Sequence, residues 1–88
     1  MKLERDENGD FVIDPSVLTE RLSVDAERFR RHMRMGLVTS VVESGTGDDE
    51  GCQRLTVRYG NAAWRAIIDA DRNVLSEEVV AIGKPRPG

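Results

Sequence analysis

Four arginines lie close together in one short stretch of the sequence. The stretch runs from Pro15 to Gly36 and holds five of the chain's 13 basic residues. Guanidinium groups bind carboxylates and phosphates through paired hydrogen bonds, and they contact guanine edges when a helix enters a DNA groove. The chemistry indicated here is therefore the binding of an anionic partner. The candidate residues are Arg28, Arg30, Arg31 and Arg34.

A second arginine group is predicted from strand alternation. Gly60-Asn61 is a two-residue hairpin turn between the strands Arg54 to Tyr59 and Ala62 to Asp69, and such a turn fixes their register. The core face of this hairpin is then formed by Leu55, Val57, Tyr59, Ala62, Trp64, Ala66 and Ile68. The opposite face carries three further candidates for partner binding, which are Arg54, Arg58 and Arg65.

The charge distribution is uneven, although the whole chain of 88 residues carries a formal net charge of -3. Residues 1 to 20 sum to -4 and residues 37 to 53 to -4, whereas residues 21 to 36 sum to +3 and residues 54 to 72 to +2. Charges act over about a Debye length of 8 to 10 Å, so an acidic chain can still present a basic patch.

Two short helices must position the first arginine group. Asp14 and Pro15 are typical of a helix start, and we expect Ser23 to cap the second helix. At about 100° per residue, the buried stripe of that second helix is predicted to contain Ala26, Phe29 and Met33. Gly36 is expected to end it in the left-handed conformation.

The remaining segments alternate with a period of two and predict strands. Asn8-Gly9 indicates a leading hairpin, Leu37 to Ser44 a strand, and Asn73 to Ile82 a last strand. The expected fold is α+β, with two short helices packed on one face of an antiparallel β-sheet built from meander hairpins. We expect a single domain over residues 1–83 and a flexible tail over residues 84–88.

Catalytic and metal chemistry find little support in the sequence. His32 stands on a helix flank without a recognisable nucleophile, and Asp48-Asp49 and Glu77-Glu78 are neighbours that point apart or into solvent. The segment from Asp69 to Asn73 resembles a calcium loop but lacks the required glycine and glutamate, so turn chemistry explains it. The glycine-rich acidic loop over residues 45–51 is interpreted as a solvated connection, with a divalent-cation loop as the alternative. We therefore expect the protein to have no enzymatic activity and no cofactor.

Location and redox state follow from two simple features. Cys52 is the chain's single cysteine, so it has no partner for a disulfide within the chain or for a zinc site. The charged N-terminal segment does not fit a signal peptide, and no apolar run reaches the roughly 18 residues of a membrane span. The expectation is a soluble cytoplasmic protein.

The order of several motifs resembles a small bacterial family of unknown function. The motifs are FVIDP, LTERL, LTVRYG and WRAIIDAD, and together they cover nearly the whole chain. That resemblance implies one compact domain and supplies no site residues.

The helix pair separately resembles helix-turn-helix modules of the excisionase and MerR type, in which a second helix ending in glycine leads into a β-hairpin. Leu18, Leu22, Val24 and Phe29 have the spacing of the inter-helix core. Thr19, Ser23 and His32 depart from the pattern, because these modules carry a small residue, a glycine and an apolar residue at those places.

Two functions remain open from the sequence. The first is a non-catalytic interaction module that binds an acidic partner through its arginine patches. The alternative is a helix-turn-helix-like nucleic-acid-binding protein that uses its second helix. In both cases Glu27 and Asp25 would compete with the partner for the arginines, because they are placed to form ion pairs within their own helix.

Overall fold

The computed structural model describes residues 1–45 and 50–81. Most of the glycine-rich acidic loop and the predicted tail at residues 84–88 lie outside them. The described chain forms two helices and two antiparallel sheets, which confirms the α+β prediction. In order, the elements are β1 (Glu4–Arg5), β2 (Phe11–Val12), α1 (Pro15–Leu22), α2 (Ala26–Arg34), β3 (Val38–Ser44), β4 (Gln53–Tyr59), β5 (Ala62–Ile68) and β6 (Val74–Ala81).

The four-stranded sheet is a meander in the order β3-β4-β5-β6. Its centre is the Gly60-Asn61 hairpin, where Gly60 adopts a φ of 61° that glycine tolerates without strain. The predicted register is confirmed, since Val57 pairs with Trp64 and Leu55 with Ala66. A two-residue turn leaves only this pairing, so the sequence determines which side chains share each face.

The hydrophobic core lies between the helices and one face of this sheet. Trp64, Phe29 and Ile68 are the largest fully buried side chains, and β4 adds Leu55 and Val57. The other buried apolar members of the core are Leu3, Leu18 and Ala66.

Helix α1 begins as the sequence predicts and ends differently. The Asp14 side chain accepts a hydrogen bond from the Ser16 amide, and Pro15 occupies the first turn. Ser23 does not cap α2, which corrects our prediction. It ends α1 with a left-handed φ of 56°, at the place where glycine is usual, and Asp25 is the N-cap of α2.

The buried face of α2 also differs from the prediction. Only Phe29 is buried in this helix, while Ala26 is exposed and Met33 is 41% exposed. Helical periodicity finds the centre of the stripe but not its width. Here α2 packs on α1 and meets the sheet near Tyr59, which turns the His32 side inward and leaves Met33 near solvent.

A carboxylate joins α1 to the sheet. Glu77 Oε1 accepts hydrogen bonds from Arg21 Nε at 2.6 Å and from Trp64 Nε1 at 2.9 Å. The indole N–H would otherwise lie in the core without a partner, which is costly for a buried donor. One side chain of β6 therefore satisfies the core tryptophan of β5 and holds the last turn of α1.

The N-terminal segment closes one end of the sheet. Leu3 is buried, its amide donates to the Arg72 carbonyl at 2.9 Å, and the Val74 amide donates to the Met1 carbonyl at 2.7 Å. At the same end, the Asp69 side chain accepts hydrogen bonds from the amides of Asp71 and Asn73. These bonds confirm turn chemistry for that segment.

Replacing the core tryptophan tests this packing. Trp64→Ala is expected to lower the free energy of unfolding by about 3 to 5 kcal/mol, because it leaves a large cavity and removes a partner of Glu77. Urea denaturation followed by circular dichroism measures the loss. Leu75→Ala is the control at a residue that is 58% exposed, and it should change stability by less than about 1 kcal/mol. A Trp64→Ala protein as stable as the control would place Trp64 outside the core.

Candidate binding surfaces

Three arginines share the outer face of α2. At about 100° per residue, Arg30, Arg34 and Arg31 follow one another around the side of the helix that faces away from Phe29. All three are exposed, whereas Phe29 is buried. We call this set, Arg30, Arg31 and Arg34, the helix patch. Three guanidinium groups on one rigid helix can approach a single anionic surface together.

Contacts with Tyr59 fix the orientation of α2. The Phe29 and Tyr59 rings meet edge to face with their centroids 5.0 Å apart. His32 Nδ1 and the Tyr59 hydroxyl form a hydrogen bond, and the two rings lie 5.5 Å apart. Phe29 and His32 are one helical turn apart and both engage the end of β4. These contacts hold the buried side of the helix against the sheet, so the helix patch must face outward.

Among the residues that the structure describes, internal ion pairs do not occupy the helix patch. In the described part of the chain, no carboxylate lies within 4.0 Å of the guanidinium nitrogens of Arg28, Arg30, Arg31 or Arg34. Asp25 caps the helix instead, since its Oδ2 accepts a hydrogen bond from the Arg28 backbone amide at 2.8 Å. Glu27 is exposed on the same side of α2, between Arg34 and Arg31, but among the described residues it forms no ion pair with the helix patch.

Arg28 lies at the margin of the helix patch. It lines a shallow depression beside the connection between the helices and the β4–β5 turn, together with Ser23 and Asn61. At about 100° per residue Arg28 lies about 60° from Arg31, so it borders the helix patch, while Arg30, Arg31 and Arg34 form the side of α2 that faces away from Phe29.

Two of the three sheet arginines have carboxylate partners. Arg54, Arg58 and Arg65 lie on the sheet face away from the helices, as the register predicts. Arg54 pairs with Glu43 of β3 at 3.1 Å, and Arg65 pairs with Glu78 of β6 at 3.4 Å. These pairs lower the net positive charge of the sheet face, so it is less suited to an acidic partner than the helix patch.

The acidic groups that interact most strongly serve the fold. Hydrogen bonds from Arg21 and then from Trp64 lower the pKa of Glu77. Backbone and side-chain hydrogen bonds from Ser16 lower the pKa of Asp14, with a smaller contribution from the charge of Arg30. Glu77 and Glu78 point to opposite faces of β6, so they do not form an acid/base pair.

The sequence analysis missed the interactions of Arg21 and Glu77. Glu77 lies on the same face as Trp64, because Trp64 pairs with Val79, two residues along β6. The alternation of side chains along β6 could have indicated which of its residues face Trp64. The register between β5 and β6 shifts at Ile67/Ile68, however, and the turn residues do not predict that shift. Over residues 1–45 and 50–81, no three His, Cys, Asp or Glu side chains form a group that could hold a metal ion.

Comparison with known proteins gives one match. A family model described as a family of unknown function (DUF6522) matches residues 1–87. No curated protein and no solved structure gives a significant match. The resemblance to a family of unknown function is thereby confirmed. Among the helices that the structure describes, none has the length and apolar character needed to cross a bilayer.

The Glu77 contacts predict a specific acid sensitivity. Because the pKa of Glu77 is lowered in the folded chain, its contribution to stability is present above its unfolded pKa of about 4.3 and is lost as the pH falls through the folded value. Glu77→Gln should therefore lose less stability than the unmodified chain between about pH 5 and pH 3. Urea denaturation across this range measures the difference. Glu78→Gln, at a side chain that is 57% exposed, is the control. Equal acid sensitivity in the Glu77→Gln variant and the unmodified chain would contradict this role.

Proposed function

The chain belongs to this family of unknown function, and we propose that it is a non-catalytic interaction module that binds an acidic protein segment through the helix patch. The observation that carries the proposal is the exposure of three guanidinium groups on one helix, with no carboxylate within 4.0 Å of them in the described chain. Ion pairs with acids three or four residues away would have offset this positive charge.

The build of α2 supports binding rather than a purely structural role. A helix with a single buried residue contributes little apolar area to the core, yet here Phe29 and His32 hold it in one orientation. Arg31 and Arg34 also lie in the last turn, where the helix dipole favours positive charge. Because α2 is held in one orientation, the three arginines start from fixed backbone positions, which reduces the ordering that binding requires.

An acidic protein segment fits better than a nucleic acid. Three phosphate contacts give only a modest electrostatic attraction, whereas site-specific DNA-binding proteins commonly make about 6 to 10. The acidic N-terminal region adds repulsion, since residues 1 to 20 sum to -4. Short acidic protein segments need fewer contacts and carry less charge.

Nucleic-acid binding is the second candidate, and one observation favours it. The connection between α1 and α2 contains three residues, which is the length typical of a helix-turn-helix. Ser23 supplies the left-handed conformation that a glycine usually provides in such turns. A helix-turn-helix-like protein would place α2, with Arg30, Arg31 and Arg34, in the major groove.

The proposal includes the absence of catalysis and a cytoplasmic location. His32 is half-buried and hydrogen-bonded to Tyr59, which supports a structural role. Cys52 is a free, partly buried thiol, and a chain without a disulfide fits a reducing compartment.

Direct binding measurements test the proposal. The full chain is titrated into a fluorescent poly-glutamate peptide and, separately, into a mixed-sequence DNA duplex, and anisotropy is measured between about 50 and 200 mM salt. We expect salt-dependent binding that is tighter for the peptide. Replacing Arg30, Arg31 and Arg34 with alanine should weaken peptide binding by about tenfold or more, because each exposed ion pair contributes about 0.5 kcal/mol.

A matched variant of the sheet face provides the control. Arg54→Ala combined with Arg65→Ala removes two guanidinium groups and should leave the affinity for the peptide within about twofold. The helix-patch variant should lose less than about 1 kcal/mol of stability, so that weaker binding does not reflect unfolding. Absence of peptide binding at low salt, or an equal loss in the sheet variant, would refute the proposal. Tighter binding of the duplex would support the nucleic-acid alternative.

A further inference from the structure

Strand β3 is an open edge of the four-stranded sheet. Within residues 1–45 and 50–81 it pairs with β4 on one side only, and every residue of the strand after Val38 is exposed. The Gly45 amide donates to the Cys52 carbonyl, which continues the β3–β4 register. Because hydrogen-bonded pairs alternate along an antiparallel ladder, the odd-numbered residues bond to β4. The backbone groups of Val38, Ser40, Val42 and Ser44 therefore point away from the sheet.

The central part of this edge lacks the usual protection against pairing. Sheet edges are commonly blunted by lysine, proline or an inward-pointing charge, and the central part of β3 is Thr39-Ser40-Val41-Val42. The opposite edge, β6, differs. Glu77 and Glu78 lie in its centre, and the N-terminal segment is hydrogen-bonded beside its first residue. Of the two edges, β3 is the one suited to adding a strand.

Apolar side chains are exposed on both faces of β3. Val41 is 48% exposed on the outer face, and Val42 is 43% exposed on the face that carries the helices. Beside β3 on that second face is an open groove of about 300 Å³, whose wall includes Val12 and Met33. Met33 is 41% exposed and Val12 is 48% exposed. A strand added at this edge would cover part of this apolar surface.

We propose that β3 pairs antiparallel with β3 of a second copy of the chain, which joins two sheets into one of eight strands. In the register centred on Val41, all seven residues of the strand overlap. Ser40 and Val38 then form hydrogen-bonded pairs with Val42 and Ser44 of the second copy, and the seam contains about eight backbone hydrogen bonds. The two Val41 side chains lie opposite each other on the outer face.

Charge complementarity favours a second copy as the occupant. In this register Glu43 lies opposite Thr39 of the second copy, and Thr39 is paired with Arg58 on β4. Glu43 of one chain is then two strands from Arg58 of the other, which a long arginine side chain can span on the same face. In the described chain Arg58 is exposed and has no carboxylate within 4.0 Å. The two-fold axis repeats this contact, so Glu43 of each chain, which pairs with Arg54 of its own chain, also faces Arg58 of the other chain across the seam. A self-pairing of β6 would instead bring glutamates together, which destabilises a strand pair.

Sedimentation equilibrium of the full chain over a concentration series tests this association. The expected result is a reversible monomer-dimer equilibrium with a dimer of twice the chain mass of 9.8 kDa. Val41→Lys places two like charges opposite each other and should weaken the dimer by about tenfold or more, equal to about 1.4 kcal/mol. Val42→Pro removes an amide that points away from β4, so it should weaken the dimer while the β3–β4 ladder persists.

Control variants separate the seam from general effects. Leu75→Lys introduces the same charge on the exposed β6 edge and should leave the dimer unchanged. Arg58→Glu is a change on β4 and should weaken the dimer, because the new carboxylate repels Glu43 of the second copy. This variant tests the seam even if Val41→Lys fails to fold. Circular dichroism establishes folding for each variant. A purely monomeric chain, dimers that survive Val42→Pro and Arg58→Glu unchanged, or dissociation by Leu75→Lys would overturn the proposal.

Discussion

The burial of Trp64 is the constraint on which the rest of the structure depends. This residue is fully buried in β5 between the sheet and the helices, and its indole N–H needs a partner there. Glu77 supplies that partner and also binds Arg21, so the same carboxylate joins β5, β6 and α1. Because α1 rests on β5, its position fixes that of α2 through the three-residue connection.

The position of α2 determines which arginines are paired within the fold and which are exposed to a partner. Arg21 is engaged by Glu77, and Arg54 and Arg65 pair with carboxylates of neighbouring strands. Phe29 and His32 hold the inner side of α2 against Tyr59, which leaves the helix patch exposed. A chain with a net charge of -3 thus presents a local cationic surface on one rigid element.

The sequence predicted those features that local rules determine. The Gly60-Asn61 turn fixed the β4–β5 register and both of its faces, and Asp14 with Pro15 located the start of α1. The predicted buried stripe of α2 was wrong for Ala26 and Met33, because the width of that stripe depends on the angle at which the helix meets Tyr59. The Glu77 contacts depend on a register shift between β5 and β6, and the residues of the connecting turn do not predict this shift. The arginines were found by type and spacing, but only the fold shows which of them have partners.

The most direct test of the central claim follows the arginine side chains themselves. Their Nε–Hε signals are resolved in ¹H–¹⁵N NMR spectra and assigned by single substitution, and the full chain is titrated with a poly-glutamate peptide. The account predicts that the signals of Arg30, Arg31 and Arg34 shift together along one binding curve, while those of Arg21, Arg54 and Arg65 stay in place. Shifts confined to Arg54, Arg58 and Arg65, with α2 unaffected, would contradict it.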